Sequence, residues 1–120
     1  AHELNMKVAI SALRPEDREA WEILARGYKG FYRTDVTPEG YEEAWRRLLR
    51  EDGVHGLAAR IDGRLVGIAH YLFHTSAWTP AVCYLQDLFV APEARGQGAA
   101  RALYDKVARF NGFIRYDFPL

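Results

Sequence analysis

Apolar residues recur along this chain with two periods, and the period sets the element. Met6 to Leu13 carries the β-branched Val8 and Ile10, which predicts a first strand. Pro15 then opens a helix where its missing N–H costs nothing, with Glu16 and Asp17 in a first turn that favours acids. Trp21, Leu24, Tyr28 and Phe31 continue it at helical spacing, while Gly27 and Gly30 weaken its end. After a polar stretch, Arg33 to Thr37, Pro38 begins a second helix. Its apolar stripe is Tyr41, Ala44, Trp45, Leu48 and Leu49, and Gly53 closes it.

The second half of the chain changes period. Gly56–Ile61 and Arg64–His74 are strand-like runs joined by Asp62-Gly63, the dipeptide of a tight hairpin. A loop with Thr79-Pro80 leads to Val82–Val90. That run is apolar on both parities apart from Gln86 and Asp87, as a central strand buried on two faces would be. Ala91-Pro92 ends it, and RGQGAA (Arg95–Ala100) and a helix to about Phe110 follow. Asn111-Gly112 breaks that helix, and Phe113–Phe118 predicts a last strand. The order β-α-α-β-β-β-α-β describes an α/β (α+β) domain, uninterrupted by repeats or linkers over residues 6–120. Residues 1–5 read as a short natural leader or an expression remnant.

Composition narrows the functions. A chain of 120 residues has room for one domain. Its 16 basic residues offset 16 acidic ones, so nothing draws it in general to phosphate backbones or anionic lipid. Nucleic acid and membrane surfaces are therefore not expected partners. The lone cysteine, Cys83, cannot pair within the chain and reads as a small core residue in a cytoplasmic protein. No apolar run approaches the roughly 20 residues that span a bilayer. No charged start followed by an apolar stretch suggests a secretion signal.

The chemical signal lies in YLQDLFVAPEARGQGAARAL. A strand feeding a glycine-rich turn feeding a helix holds anions well. Gly96 and Gly98 let backbone N–H groups approach a ligand with no Cβ in the way. The first turn of the helix adds unpaired donors and the positive end of a dipole, and Arg95 adds a fixed charge suited to phosphate. The segment reads as a pyrophosphate cradle rather than an incidental glycine turn. No Gly-Lys-Ser/Thr follows, and the G-x-G-x-x-G spacing is absent.

These residues resemble the GNAT N-acetyltransferase family. Its pattern, Arg/Gln-x-x-Gly-x-Gly/Ala after the fourth strand, is filled by Arg95, Gly98 and Ala100. DLFVAPEAR before it, VGIAHYLF, the Asp-Gly hairpin and the two leading helices fall in family order, so the resemblance covers most of residues 6–120. It implies a mixed, mostly antiparallel central sheet flanked by helices and an acetyl-CoA site. The backbone of Leu88, Phe89 and Val90 would pair with the pantetheine arm. The loop Arg95, Gly96, Gln97, Gly98, Ala99 and Ala100 would hold the pyrophosphate. The implied reaction is direct acetyl transfer from acetyl-CoA to a primary amine of a small molecule, such as a polyamine or an amino acid, without a metal. A homodimer is implied as a possible assembly. The alternative is a non-catalytic acetyl-CoA-binding sensor or interaction module.

The tail departs from the family pattern. ARALYDKVARF directly after the loop matches a motif that the family places later, in a fourth helix. In the preferred register about one helix and one strand, roughly 20–30 residues, are missing near residues 98–100, either deleted or unobserved. In the other register Ala99–Phe110 is the third helix itself. The preferred register makes Tyr104 resemble the tyrosine that protonates the departing thiolate, a donation that suits a phenol of pKa about 10 beside a thiol of about 8.5. A packed aromatic is the other reading of Tyr104.

An amine near pKa 10.4 (an approximate reference value) must also lose a proton before it can attack. Gln86 cannot take one, though it could orient water or the amine. Asp87 is the nearest carboxylate, as base or as structural group, and strand parity sends it to the face opposite Gln86. The resemblance implies that the region between the first two helices, Tyr28, Phe31, Tyr32 and Asp35, shapes the acceptor pocket; ordinary packing is the other reading of these residues. His70 and His74 share a strand face and read as hydrogen-bonded strand residues, not metal ligands.

Overall fold

The computed structural model describes residues 7–31 and 35–110, without the side chains at 29–31. Four antiparallel strands, β1 (Val8–Ala12), β2 (His55–Ile61), β3 (Arg64–His74) and β4 (Val82–Val90), form one sheet in that spatial order. Helices α1 (Arg18–Phe31) and α2 (Pro38–Arg50) precede β2, and α3 (Ala99–Ala108) follows β4. The predicted order of elements therefore holds from the first strand through α3. The Phe113–Phe118 strand lies outside the described residues.

Local chemistry explains the boundaries. Pro15–Asp17 forms a 3-10 turn, and Asp17 receives the Arg14 N–H at 2.8 Å before α1 begins. The side chain of Asp17 is also buried, clasped by both terminal nitrogens of Arg60 on β2 at 2.9 and 2.6 Å. It serves as a tie between α1 and the sheet more than as a dipole partner. Thr37 caps α2 by accepting the Gly40 N–H. The helix ends at Glu51, in the left-handed region at φ 52°, with its N–H turned back to the carbonyls of Arg47 and Leu48. The expected stop at Gly53 thus comes two residues earlier. Asp62 and Gly63 both have positive φ, 53° and 78°, as a two-residue hairpin turn requires.

The sheet is covered on both sides. An added Cβ on Gly67 would point at Leu103 of α3, whereas His70, of opposite parity on the same strand, meets Trp21 of α1. α3 packs across all four strands. Trp21, Trp45 and Tyr41 brace α1 against α2, with Trp21–Trp45 centroids 5.1 Å apart. Cys83 is fully buried and free, as its reading as a core residue requires.

One lateral placement differs from expectation. The two-sided apolar pattern predicts a central β4, but among the described residues it stands at the end of the strand order. Val82, Cys83 and Leu85 are buried on both faces because helices lie above and below. Two-sided burial demands two covering layers, not two neighbouring strands, so among the described residues the far edge of β4 is open.

Candidate active site

The groove forms where β4 runs out. Ala91 donates its N–H to Val66, which ends the ladder, and a 3-10 turn over Pro92–Ala94 leads into the loop. Gly96 and Gly98 have φ of 84° and 89°, and a Cβ at either would meet nothing within 4 Å. Glycine is required there for backbone conformation, and the space beside it is open. Gly98 is the N-cap of α3. Among the described residues the N–H groups from Gly96 to Arg101 donate to no other backbone group, and the first helical bond runs from Ala102 to Gly98. Six consecutive donors at a helix N-terminus are what an anion needs.

These donors border a groove of about 370 Å³ lined by Leu88, Phe89, Val90, Arg95, Gly96, Gly98, Ala99 and Ala100, with Tyr28, Ala94 and Arg101. Of the predicted cradle, only the Gln97 side chain is absent from the lining. The groove carries two arginines and no acid among the described residues. Arg95 lies over Phe89, its Cζ 5.5 Å from the ring centroid, and donates from Nε to the Val90 carbonyl. Arg101, which the sequence reading missed, is tied only loosely to Asp105 at 3.5 Å.

A cavity of about 310 Å³ adjoins the groove between the sheet and α1–α2. Tyr28 and Phe89 line both spaces, their rings edge to face at 6.1 Å. Gly27 permits this approach, since a Cβ there would stand 3.1 Å from the Phe89 ring. Trp21, Tyr41, Ile68 and Val36 supply much of the remaining wall. Of the four predicted acceptor residues, Tyr28 is in place and Asp35 is exposed and outside the lining. The side chain of Phe31 and all of Tyr32 lie outside the described residues.

Gln86 and Asp87 both line this cavity, against the expectation that parity would separate them. The cause is a bulge. His70 pairs with Asp87 and Tyr71 with Leu85, so Gln86 has no partner and the alternation of β4 is broken there. Asp87 Oδ2 then lies 2.9 Å from His70 Nδ1, and Trp21 Nε1 lies 3.0 Å from His70 Nε2. An indole N–H can only donate, so Nε2 accepts, and Nδ1 carries the hydrogen that Asp87 receives. Trp21 and His70 thereby aim the carboxylate. Neither stood out in the sequence as part of a site, because Trp21 sits in an apolar stripe and His70 in a strand.

Tyr104 is half-buried against the core and lines neither space, standing one helical turn beyond Ala100 on α3. α3 itself begins directly at Gly98, with no intervening element.

Residues 17–110 match the model of the acetyltransferase (GNAT) family. The chain belongs to that family. The D-amino-acid N-acetyltransferase HPA3 of Saccharomyces cerevisiae is 33% identical over 108 residues, covering 87% of this chain and 67% of that protein. The thialysine N-epsilon-acetyltransferase of Caenorhabditis elegans is 29% identical over 81 residues, covering 65% of this chain and 51% of that protein. The chain thus spans about half to two thirds of the length of these two relatives. Among solved structures, the aminoglycoside N-acetyltransferase AAC(6')-Iy in complex with CoA superposes with a TM-score of 0.78 at 19% identity, over 94% of this chain and 78% of that one. The ribosomal-protein-alanine N-acetyltransferase of Brucella melitensis biovar Abortus 2308 gives 0.70 at 26% identity, over 85% and 69%. The protein is an acetyl-CoA-dependent acetyltransferase of the GNAT family, and its relatives transfer acetyl groups to amines.

Proposed function

We propose that this acetyltransferase moves the acetyl group of acetyl-CoA to a primary amine of a small molecule bound in the cavity. The observation that carries this reading is the adjacency of the two spaces through Tyr28 and Phe89. The diphosphate of acetyl-CoA would take the free amides from Gly96 to Arg101, with Arg95 and Arg101 beside them. The arm would follow the open edge of β4 through Leu88, Phe89 and Val90, which delivers the thioester to the mouth of the cavity.

Asp87 serves as proton acceptor in this reading. Its carboxylate takes a hydrogen bond from the ammonium and passes the proton to water, which leaves a lone pair for attack. Gln86 orients the amine. The nitrogen attacks the thioester carbon, a C–N bond forms and the C–S bond breaks. The nitrogen gives its second proton to water, and the thiolate takes one from Tyr104, in the role that the resemblance implies. A preformed cavity of about 300–1,000 Å³ with few polar groups is the usual setting for such a ligand.

The test is release of CoA thiol from acetyl-CoA in the presence of single amines: polyamines, α-amino acids, lysine analogues and aminoglycosides. Acetyl-CoA-dependent release with at least one small amine is expected. Tight acetyl-CoA binding without turnover on any of them would support a sensor instead.

A further inference from the structure

We propose that the acceptor carries a carboxylate as well as its amine, the two several ångströms apart, and that Arg47 holds the carboxylate. This rests on the acyl-transfer reading above and adds the substrate class.

Arg47 lines the cavity beside Ala44, Leu48 and Val54. It is exposed and makes no ion pair among the described residues, whereas three other arginines of α1 and α2 do. Arg18 and Arg26 are bound to Glu22, and Arg46 to Glu42. The natural helical partner of Arg47 is Glu51, four residues on, but Glu51 is turned to His55 Nδ1 at 2.8 Å. A guanidinium left without a carboxylate on an apolar wall suits an external anion, and its planar fork matches a carboxylate best.

The other charge in the lining is Asp87, anchored by His70 and Trp21. The two belong to different elements, Arg47 to α2 and Asp87 to β4. Asp87 is two residues from Phe89, which borders the acetyl-CoA groove, so an amine at Asp87 is next to the thioester. Arg47 belongs to α2, which packs on β2, two strands from β4. With strands about 4.8 Å apart, β2 and β4 are separated by roughly 10 Å. An arginine shortens that span by its own reach, leaving several ångströms between the two charges. An amine on a side chain or at the far end of an amino acid fits this span, whereas the adjacent groups of a simple α-amino acid do not.

The decisive pair of probes is 6-aminohexanoate and hexylamine, primary amines of equal length with and without the carboxylate. Thiol release gives kcat/KM, and quenching of tryptophan fluorescence with CoA present gives affinity, since Trp21 lines the cavity. We expect 6-aminohexanoate to be preferred at least tenfold in both readouts. Arg47→Gln should collapse the preference to about one through KM, and Arg47→Lys should restore part of it. Equal use and equal binding of the two probes would overturn the inference even if both are acetylated. Preferential binding of 6-aminohexanoate without any turnover would uphold the carboxylate site and sink the acyl-transfer reading alone.

Discussion

Gly98 shows how one residue serves two ends. Its φ of 89° starts α3, and its missing side chain leaves the amides beside it open. Gly98→Glu puts a carboxylate where a diphosphate would lie, so acetyl-CoA affinity should fall at least a hundredfold in a calorimetric titration. Gly98→Ala meets no atoms and should show only the strain of the left-handed backbone, about 1–2 kcal/mol in Tm-derived stability. Under the proposed reaction Asp87→Asn keeps the shape and removes the proton acceptor, so kcat should drop on the order of a hundredfold with acetyl-CoA affinity kept. Trp21→Phe keeps an aromatic ring and removes the N–H that fixes His70. A roughly tenfold fall in kcat with an intact fold by circular dichroism would follow from lost orientation. Tyr104→Phe separates its two readings: an acid loses turnover at constant cofactor affinity, and a packed aromatic changes neither.

At the scale of elements, the clasp between Asp17 and Arg60 joins α1 to β2. Burial alone would push the Asp17 carboxyl up. The hydrogen bonds from Arg60 and the Arg14 N–H, with the charges of both arginines, outweigh burial and hold it below its ordinary value. Arg60 is raised in turn, chiefly by its hydrogen bond to Asp17. A carboxyl lowered on folding contributes stability that is fully present above its unfolded value of about 3.9 and is lost as pH falls through the lower folded value. Denaturant melts between pH 7 and 5 should therefore show this contribution unchanged, and acid should remove it below about pH 4. Asp17→Asn leaves Arg60 buried without its counter-charge. It should cost about 3–5 kcal/mol at pH 7 and flatten the acid limb of the stability profile. The bulge at Gln86 is the other device of this scale. One unpaired residue brings Asp87 to His70 and both β4 polar side chains to one cavity.

For the whole molecule, groove and cavity are two sides of one layered construction, with α3 beneath the first and α1–α2 over the second. A ligand that needs the assembled groove must stabilise the assembled fold. Acetyl-CoA at a hundred times its dissociation constant should raise stability by about 2.7 kcal/mol, read as a thermal shift, and the Gly98→Glu protein should show none. The glycine loop and its groove were legible beforehand because their geometry is local. Glycines at 96 and 98, an arginine before them and a helix after them act through the backbone of one short segment. The four strands, the three helices and the Asp62-Gly63 hairpin were legible for the same reason, since periodicity and turn chemistry act over a few residues. The tertiary structure alone decided the edge position of β4 among the described residues, the loss of parity at Gln86 and the joining of Trp21 to His70 across 49 positions. Each depends on which distant segments are packed together, and no local pattern encodes a distance between segments that meet only when the core closes.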